Sequence, residues 1–270
     1  MSYQQKVRDA WKKNNSLLCI GLDPNQKKFP SHINSIFEFN KQIIDATADL
    51  VCAFKPQMAY YSAQNAEKDL LETIKYIKNN HPQILVILDS KRGDIGATSE
   101  QYASEAFDRF KADAVTVNPY MGHDSLVPFL EREDKGVIIL CKTSNKGSSD
   151  FQDLLIDDEP LYLHVARKCV NDWNKYKNIN LVVGATNPNE LEKIRKLAGD
   201  TPLLIPGIGT QGGDLQSVLK SGLINNEGLF ISSSRSIIYA DSSKNFAQAA
   251  REEALKLHHQ INSWRNENVK

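Results

Sequence analysis

Residues 84–94 read Ile-Leu-Val-Ile-Leu-Asp-Ser-Lys-Arg-Gly-Asp, an apolar run that passes directly into charged residues. A continuously apolar run of this length is typical of a strand covered on both faces, as in a parallel sheet. The charged residues begin where such a strand ends, and Gly93 permits a turn there. The stretch therefore predicts a buried parallel strand that leads into a polar segment at one edge of the sheet.

The same unit recurs along the chain: a short apolar run, then polar or glycine-rich residues, then a helix-like stretch. Leu70, Leu71, Ile74 and Ile77, for example, lie on one face of a predicted helix. Eight such units predict an α/β fold, a (β/α)8 TIM barrel formed as a single domain by residues 1–270. An open doubly wound sheet fits less well, because it usually has fewer strands. The predicted strands are Leu17–Leu22, Leu50–Phe54, Ile84–Leu88, Ala114–Val117, Val137–Leu140, Leu181–Val183, Leu203–Ile205 and Leu229–Ile231.

The charge balance points to a small-molecule partner. The chain carries 33 Lys and Arg and 33 Asp and Glu, so it has no overall field that would attract nucleic acid or an anionic membrane surface. The first residues are polar and lack the apolar region of a signal peptide. The longest apolar runs are too short to span a bilayer. We therefore expect a cytoplasmic protein that binds neither nucleic acid nor membrane.

The cysteines and histidines give no sign of a metal site. No two of the four cysteines form a C-x-x-C pair, and the histidines lack ligand spacing. The sequence therefore predicts reduced core thiols and no metal site formed by these residues. The residues concerned are Cys19, Cys52, Cys141, Cys169, His123, His164, His258 and His259.

The strongest candidate for chemistry is the charged stretch that follows residue 88. Side chains alternate along an extended segment, so Asp89 and Lys91 are predicted to share one face, and Ser90 and Arg92 the other. Asp89 and Lys91 would then stand together in the barrel mouth, because active sites of such barrels lie at the C-terminal ends of the strands. The alternative interpretation is a charged surface loop with an ordinary ion pair.

A lysine after the second predicted strand extends this cluster. An ammonium group placed directly after an apolar strand needs a partner, and Asp89 on the neighbouring strand is the obvious partner for Lys55. Lys55, Asp89, Lys91 and Asp94 then form an alternating charge array, in which the interleaved ammonium groups keep two nearby carboxylates ionised. These four residues are the candidate catalytic residues.

Two adjacent segments are candidates for binding an anion. Residues 206–213, Pro-Gly-Ile-Gly-Thr-Gln-Gly-Gly, follow the seventh strand, and residues 232–235, Ser-Ser-Ser-Arg, follow the eighth. Loops in these two places form the recurrent phosphate site of (β/α)8 barrels, and the Arg235 guanidinium can bind phosphate through two hydrogen bonds. A glycine cluster taken alone also fits a simple tight turn.

Asp23 and residues 142–145 are weaker candidates. Asp23, after the first strand, fits either a turn or cap residue or an acceptor for sugar hydroxyls. Residues 142–145, Lys-Thr-Ser-Asn, fit either a polar loop or a set of donors and acceptors for a polar heterocycle.

With these segments in place, the sequence resembles the orotidine 5′-monophosphate decarboxylases, in particular their longer bacterial subgroup. The resemblance covers nearly the whole chain. It departs from the usual pattern at Ser90, where Ala is common, and at Lys146, where Pro is common, and neither residue belongs to the charge array. The matching segments are Gly-Leu-Asp-Pro at 21–24, Phe-Lys-Pro-Gln at 54–57, residues 89–98, Thr-Val-Asn-Pro-Tyr-Met-Gly at 116–122, residues 142–145, 206–209 and 211–213, and Ser-Ser-Arg at 233–235.

The resemblance implies a carbon–carbon lyase that converts orotidine 5′-monophosphate (OMP) to uridine 5′-monophosphate (UMP) and carbon dioxide in de novo pyrimidine biosynthesis, without a cofactor. It also implies a homodimer with shared active sites, in which Lys55, Asp89 and Lys91 act in one subunit and Asp94 reaches in from the other. The remaining implied roles concern the substrate. They are ribose binding by Asp23, Lys55 and, from the partner chain, Thr98; contact with the pyrimidine edge by Ser144; bridging of base and phosphate by Gln211; and phosphate binding by Arg235.

Two other functions fit parts of the pattern. A sibling barrel decarboxylase or aldolase for a sugar phosphate would share the D-x-K-x-x-D segment but use Mg²⁺, and resistance to chelators separates the two. A non-catalytic phosphate- or nucleotide-binding module would have no use for a buried charge array, since burying charges is unfavourable. Such a module would bind UMP without turning over OMP.

Overall fold

Ten strands occur in the described part of the chain, and eight of them form the barrel. The computed structural model describes residues 1–208 and 213–268. The strands are β1 Leu18–Leu22, β2 Ala53–Pro56, β3 Leu85–Arg92, β4 Ala114–Val117, β5 Gly136–Lys142, β6 Leu155–Ile156, β7 Glu159–Pro160, β8 Ile179–Val183, β9 Leu203–Pro206 and β10 Leu229–Ser233. The closed barrel has the order β1-β10-β9-β8-β5-β4-β3-β2, with parallel neighbours throughout. The predicted (β/α)8 barrel is therefore confirmed.

Helices surround the barrel, and several begin at the capping residues that their sequences supply. Ser2, Ser35 and Asp214 each accept a hydrogen bond from a main-chain N–H in the first turn of the helix that follows, Tyr3–Lys13, Ile36–Thr47 and Leu215–Gly222 respectively. Within residues 1–208 and 213–268, no helix combines the length and apolarity needed to cross a bilayer. The helices are α1 Tyr3–Lys13, α2 Ile36–Thr47, α3 Met58–Ser62, α4 Glu67–Asn80, α5 Gly96–Ser104, α6 Val127–Leu130, α7 Leu161–Arg167, α8 Pro188–Ala198, α9 Leu215–Gly222, α10 Arg235–Ile238 and α11 Phe246–Glu267.

The strands are buried because helices cover one face and the packed barrel interior covers the other. All residues of β1, β4, β8 and β10 are buried, as their near-continuous apolar character predicts. The four free cysteines are buried as well, and burial raises the pKa of the Cys141 thiol to about 12. The thiols therefore stay protonated at neutral pH, and they behave as core side chains.

Several strand limits differ from the predicted ones, and the largest differences are the start of β2 and the end of β3. Residues 48–50 form a 3₁₀ turn, so β2 begins at Ala53 rather than at residue 50. β3 continues through its charged residues to Arg92, which pairs with Val117 of β4 after an irregular register. An apolar run predicts which part of a strand is buried. The hydrogen-bonded strand extends as far as its neighbour pairs with it, so its end need not coincide with the end of the apolar run.

The N-terminal ends of the strands, which we call the floor, are closed by side chains with fixed partners. The Tyr3 hydroxyl accepts a hydrogen bond of 2.7 Å from Asn180 at the start of β8, and a Cβ at Gly136 would overlap the Tyr3 ring. The buried guanidinium of Arg195 donates to four main-chain carbonyls, those of Gly222, Gly199, Thr201 and Gly228, at 2.7–2.8 Å. These contacts tie α1, α8 and the starts of β8, β9 and β10 together, and they leave the opposite end for a site.

Candidate active site

A cavity of about 570 Å³ opens at the C-terminal ends of the strands, which we call the mouth. This is the end of the barrel at which the sequence predicts the site. Six of the nine candidate residues line the cavity: Asp23, Lys55, Asp89, Lys91, Ser144 and Arg235. The other lining residues are Gln57, Tyr60, Leu140, Thr143, Asn145, Val182, Pro206, Gly207, Ile208, Ser232, Ser233 and Ser234.

The centre of the mouth is one carboxylate held between two ammonium groups. Asp89 Oδ2 lies 2.8 Å from Lys55 Nζ, and Asp89 Oδ1 lies 2.7 Å from Lys91 Nζ. The Lys55 and Asp89 side chains are only 7% and 8% exposed, whereas the Lys91 side chain is 45% exposed. Lys91 is therefore the member of the cluster that can contact a ligand while it remains paired with Asp89.

Both buried members of the cluster are charged. Burial opposes ionisation of Asp89, but attraction to Lys55 and Lys91 outweighs it and holds the pKa of Asp89 below its usual range. Burial likewise lowers the pKa of Lys55, but attraction to Asp89 and Asp23 outweighs it, and the net pKa is raised. The cavity thus contains a fixed set of opposite charges at neutral pH.

Asp89 and Lys91 meet as predicted, although the backbone brings them together in a different way. Lys91 has a φ of +48°, in the left-handed region, so the segment is not extended there. The register between β3 and β4 shifts between Leu88 and Arg92. Arg92 points away from the mouth, and its Nη2 lies 2.8 Å from Glu105 Oε2. The shared face of Asp89 and Lys91 therefore depends on a local kink rather than on simple alternation.

Asp94 and Thr98 do not join the cluster within one chain. Asp94 Oδ1 accepts a hydrogen bond of 2.8 Å from the main-chain N–H of Ile95, and Thr98 is exposed in the first turn of α5. Neither residue lines the cavity. Of the four residues predicted to form the charge array, only three therefore meet within one chain, and Asp94 lies apart. The prediction that Asp94 and Thr98 act across a subunit boundary stays a prediction.

Asp23 has one oxygen fixed and one without a partner among the described residues. Its Oδ2 accepts a hydrogen bond of 2.6 Å from the Ser234 hydroxyl on the adjacent strand end, and its Oδ1 is buried. The Tyr239 hydroxyl donates to the Asp23 carbonyl oxygen at 2.9 Å, which fixes the backbone. A buried acceptor next to an open cavity favours the ligand-binding interpretation of Asp23 over a turn or cap role.

The described residues that begin the two predicted anion-binding segments, Pro206 and Ser232, are paired neighbours that both line the cavity. Arg235 begins α10, with one residue between it and the end of β10, is exposed and lines the cavity. Gly207, which has a φ of +100°, contributes main chain from the end of β9. Gln211 lies outside the described residues, so its predicted contact stays a prediction.

Lys142 points away from the cavity, which corrects the view that residues 142–145 act as one set. Its Nζ lies 2.7 Å from Asp153 and 3.2 Å from the Ser148 hydroxyl, and its side chain is 4% exposed. Ser144 does line the cavity, with Thr143 and Asn145. The Gln152 side chain accepts a hydrogen bond from the Thr143 N–H at 2.9 Å. Lys142 and Gln152 thus anchor the loop that carries Ser144.

Sequence reasoning missed several residues of the mouth. Gln57 and Tyr60 line the cavity from the segment after β2. Gln57 belongs to a segment singled out for its resemblance, whereas Tyr60 has no sequence signal, because it is one aromatic residue in a short helix. Thr116 was also missed as a site residue. Its hydroxyl donates to Asp89 Oδ1 at 2.8 Å. Thr116 also belongs to a segment that matches the family, residues 116–122, but a threonine within an apolar strand indicates only an ordinary β-strand residue.

The fold and this cluster define the class of protein. A (β/α)8 barrel with a Lys–Asp–Lys cluster at a cavity on its C-terminal rim, two members buried and one open to the cavity, has the features of an enzyme, since perturbed ionisable groups in a cleft are typical of catalytic sites. Among residues 1–208 and 213–268, no three His, Cys, Asp or Glu side chains are grouped so as to hold a metal ion.

Comparison with known proteins identifies the family. The sequence model of the orotidine 5′-phosphate decarboxylase / HUMPS family matches residues 16–251. The chain is 55% identical to orotidine 5′-phosphate decarboxylase of Dechloromonas aromatica over 98% of this chain and 100% of that protein. It is 54% identical to the enzyme of the same name from Cellvibrio japonicus over 97% and 98% of the two chains. This chain belongs to the orotidine 5′-phosphate decarboxylase family, so the predicted family and the predicted lyase class are confirmed.

Solved structures agree with this assignment. Leishmania donovani OMP decarboxylase superposes with a TM-score of 0.85 at 38% identity, over 98% of this chain and 99% of that one. Leishmania donovani UMP synthase superposes with a TM-score of 0.88 at 39% identity, and this chain spans 57% of that protein's length.

Proposed function

We propose that this protein decarboxylates OMP to UMP and carbon dioxide in pyrimidine biosynthesis. The observation that carries the proposal is the Lys55–Asp89–Lys91 cluster at the mouth of a barrel from this family. The relatives at 54–55% identity are named for this reaction. We further propose a cytoplasmic homodimer, in which Asp94 and Thr98 of each chain complete the site of its partner.

Chemistry at the pyrimidine requires a fixed electrostatic environment. When the bond between C6 and the carboxylate breaks, the electron pair stays on C6 in the plane of the ring, where no π orbital delocalises it. Lys91 stabilises this developing carbanion through its positive charge and then transfers a proton from Nζ to C6, which forms UMP. Water reprotonates the amine afterwards. Asp89 holds the Lys91 ammonium in place before the reaction begins.

The rest of the substrate supplies binding energy away from the reacting carbon. In this proposal Arg235 and Gln211 bind the phosphate, Asp23 and Lys55 bind ribose hydroxyls, and Ser144 contacts the pyrimidine edge. The barrier to be lowered is on the order of 20 kcal/mol, so no single contact accounts for it. Remote contacts contribute by holding C6 against Lys91 in a site without bulk water.

The experiment follows the ultraviolet absorbance of OMP after it is mixed with purified protein in excess chelator, and a decrease is expected. Conversion to the UMP spectrum with release of carbon dioxide is expected. Turnover that requires added Mg²⁺ would instead support a metal-dependent sugar-phosphate relative. Binding of UMP without conversion of OMP would support a non-catalytic nucleotide-binding protein.

A further inference from the structure

We propose that Thr116 is a positioning residue that sets both the Asp89 carboxylate and the backbone kink at Lys91. The inference rests on the proposed decarboxylation and goes beyond it, because Thr116 sits on β4 and does not line the cavity. It acts on the reaction only through Asp89 and Lys91.

All the hydrogen-bonding capacity of the Thr116 hydroxyl is used in the structure. Its oxygen accepts from the main-chain N–H groups of Ser90 and Lys91, both at 3.0 Å. Its proton goes to Asp89 Oδ1 at 2.8 Å. A hydroxyl has one proton to donate and two lone pairs to accept with. Because the two N–H groups occupy both lone pairs, the O–H bond is aimed at Asp89.

These contacts support an unfavourable backbone conformation. A φ of +48°, as at Lys91, lies in the left-handed region, where the Cβ of a non-glycine residue is crowded against the backbone. The kink turns two successive N–H groups toward one oxygen, which the regular β3–β4 ladder would not do. Without this acceptor the two N–H groups would lack a hydrogen-bond partner, so the backbone would relax toward the regular β3–β4 hydrogen-bond pattern. Lys91 Nζ would then move from its 2.7 Å contact with Asp89.

Packing does not explain a threonine at this position. Thr116 is 1% exposed and lies between Val115 and Val117 in β4. Valine has the same shape and favours strands equally well, and burying a hydroxyl is unfavourable unless it is hydrogen-bonded. The hydroxyl is therefore accounted for by the three polar groups that it contacts.

The test compares Thr116→Val, which keeps the shape, with Thr116→Ser, which keeps the hydroxyl. The rate constant of a single turnover of OMP should fall about 100-fold in Thr116→Val, the effect of a misplacement of about 1 Å. The dissociation constant of UMP should change less than threefold. Thr116→Ser should recover most of the rate. If Thr116→Val does not fold, Thr116→Ala replaces it with the same expected loss.

Thr73→Val is the matched control. Thr73 is fully buried, and its hydroxyl accepts a hydrogen bond of 3.1 Å from Asn40 in the helical layer. Its loss should lower the urea midpoint and leave the turnover rate unchanged. A Thr116→Val protein that is less stable but turns over OMP at the wild-type rate, or a Thr116→Ser protein as slow as Thr116→Val, would overturn the inference. A wild-type protein that does not convert OMP would instead refute the proposed function.

Discussion

The floor and the mouth of this barrel both bury positive charge, and they do so in different ways. At the floor, Arg195 is surrounded by neutral carbonyls, and burial lowers its pKa to about 10. At the mouth, Lys55 contacts an ionised carboxylate, which raises its pKa despite burial. Main-chain carbonyls accept from four of the five N–H groups of the guanidinium, and the side chain is buried, so it is not available to a ligand. The charges at the mouth are paired but border a cavity, and this difference separates a structural cation from a functional one.

The largest expected difference between the two ends is in turnover. Lys91→Ala should lower the rate of OMP decarboxylation by at least about 10⁴-fold, the combined scale of lost electrostatic stabilisation and lost proton donation. The protein should remain folded and still bind UMP. Absorbance at saturating OMP measures the rate, and equilibrium dialysis measures UMP binding. Arg92→Gln, a change on the opposite face of the same strand, is the control, and it should stay within a fewfold of wild type. Near-normal turnover of Lys91→Ala would remove Lys91 as the proton donor.

The matching change at the floor should affect stability instead. Arg195→Met leaves four main-chain carbonyls without their donor and should reduce the free energy of unfolding by roughly 3 kcal/mol or more. Lys196→Met, at the next position of α8, removes only an exposed pair with Glu192 and should cost less than about 1 kcal/mol. Urea midpoints measure both. If Arg195→Met reduced turnover per folded molecule as much as Lys91→Ala does, the separation of the two ends would be wrong.

A smaller effect is expected at the phosphate side of the mouth. Arg235→Ala should weaken UMP binding by about 2–5 kcal/mol, the range for one partner of a desolvated charge pair, and should leave uridine binding unchanged. Titration calorimetry with both ligands gives the comparison. Equal losses for UMP and uridine would place Arg235 against the base or sugar rather than the phosphate.

The smallest effect is expected at Ser90, which is next to Asp89 and Lys91 in the chain but does not line the cavity. Its hydroxyl is buried and has no hydrogen-bond partner among the described residues. Ser90→Ala should therefore leave turnover unchanged and raise the free energy of unfolding by up to about 1 kcal/mol. A tenfold loss of turnover would show that the Ser90 hydroxyl does take part in the mouth.

The contrast between Lys55 and Lys142 shows how far sequence alone can predict this site. Both lysines follow an apolar strand, yet only Lys55 enters the cavity, because the β5–β8 register shifts between Leu140 and Lys142 and turns Lys142 outward. The kink at Lys91 depends on Thr116, which lies 25 residues away along the chain. The barrel itself was predictable, because a short apolar run is enough to indicate a buried strand. Register shifts and contacts between strands depend on residues far away in the chain, which the local hydrophobic pattern does not specify.

Ring closure also has a consequence for how the chain folds. β1 pairs with β10, and Leu18 lies opposite Ile231, so the last ladder joins residues more than 200 positions apart. Contacts of such long range form late, because a long loop must close first. During synthesis, a nascent chain that has not yet released β10 exposes an unpaired edge on β1 and another on β9. Such edges invite pairing with other chains. The interval before β10 emerges is therefore when this enzyme is most exposed to aggregation, and when a chaperone would have most to protect.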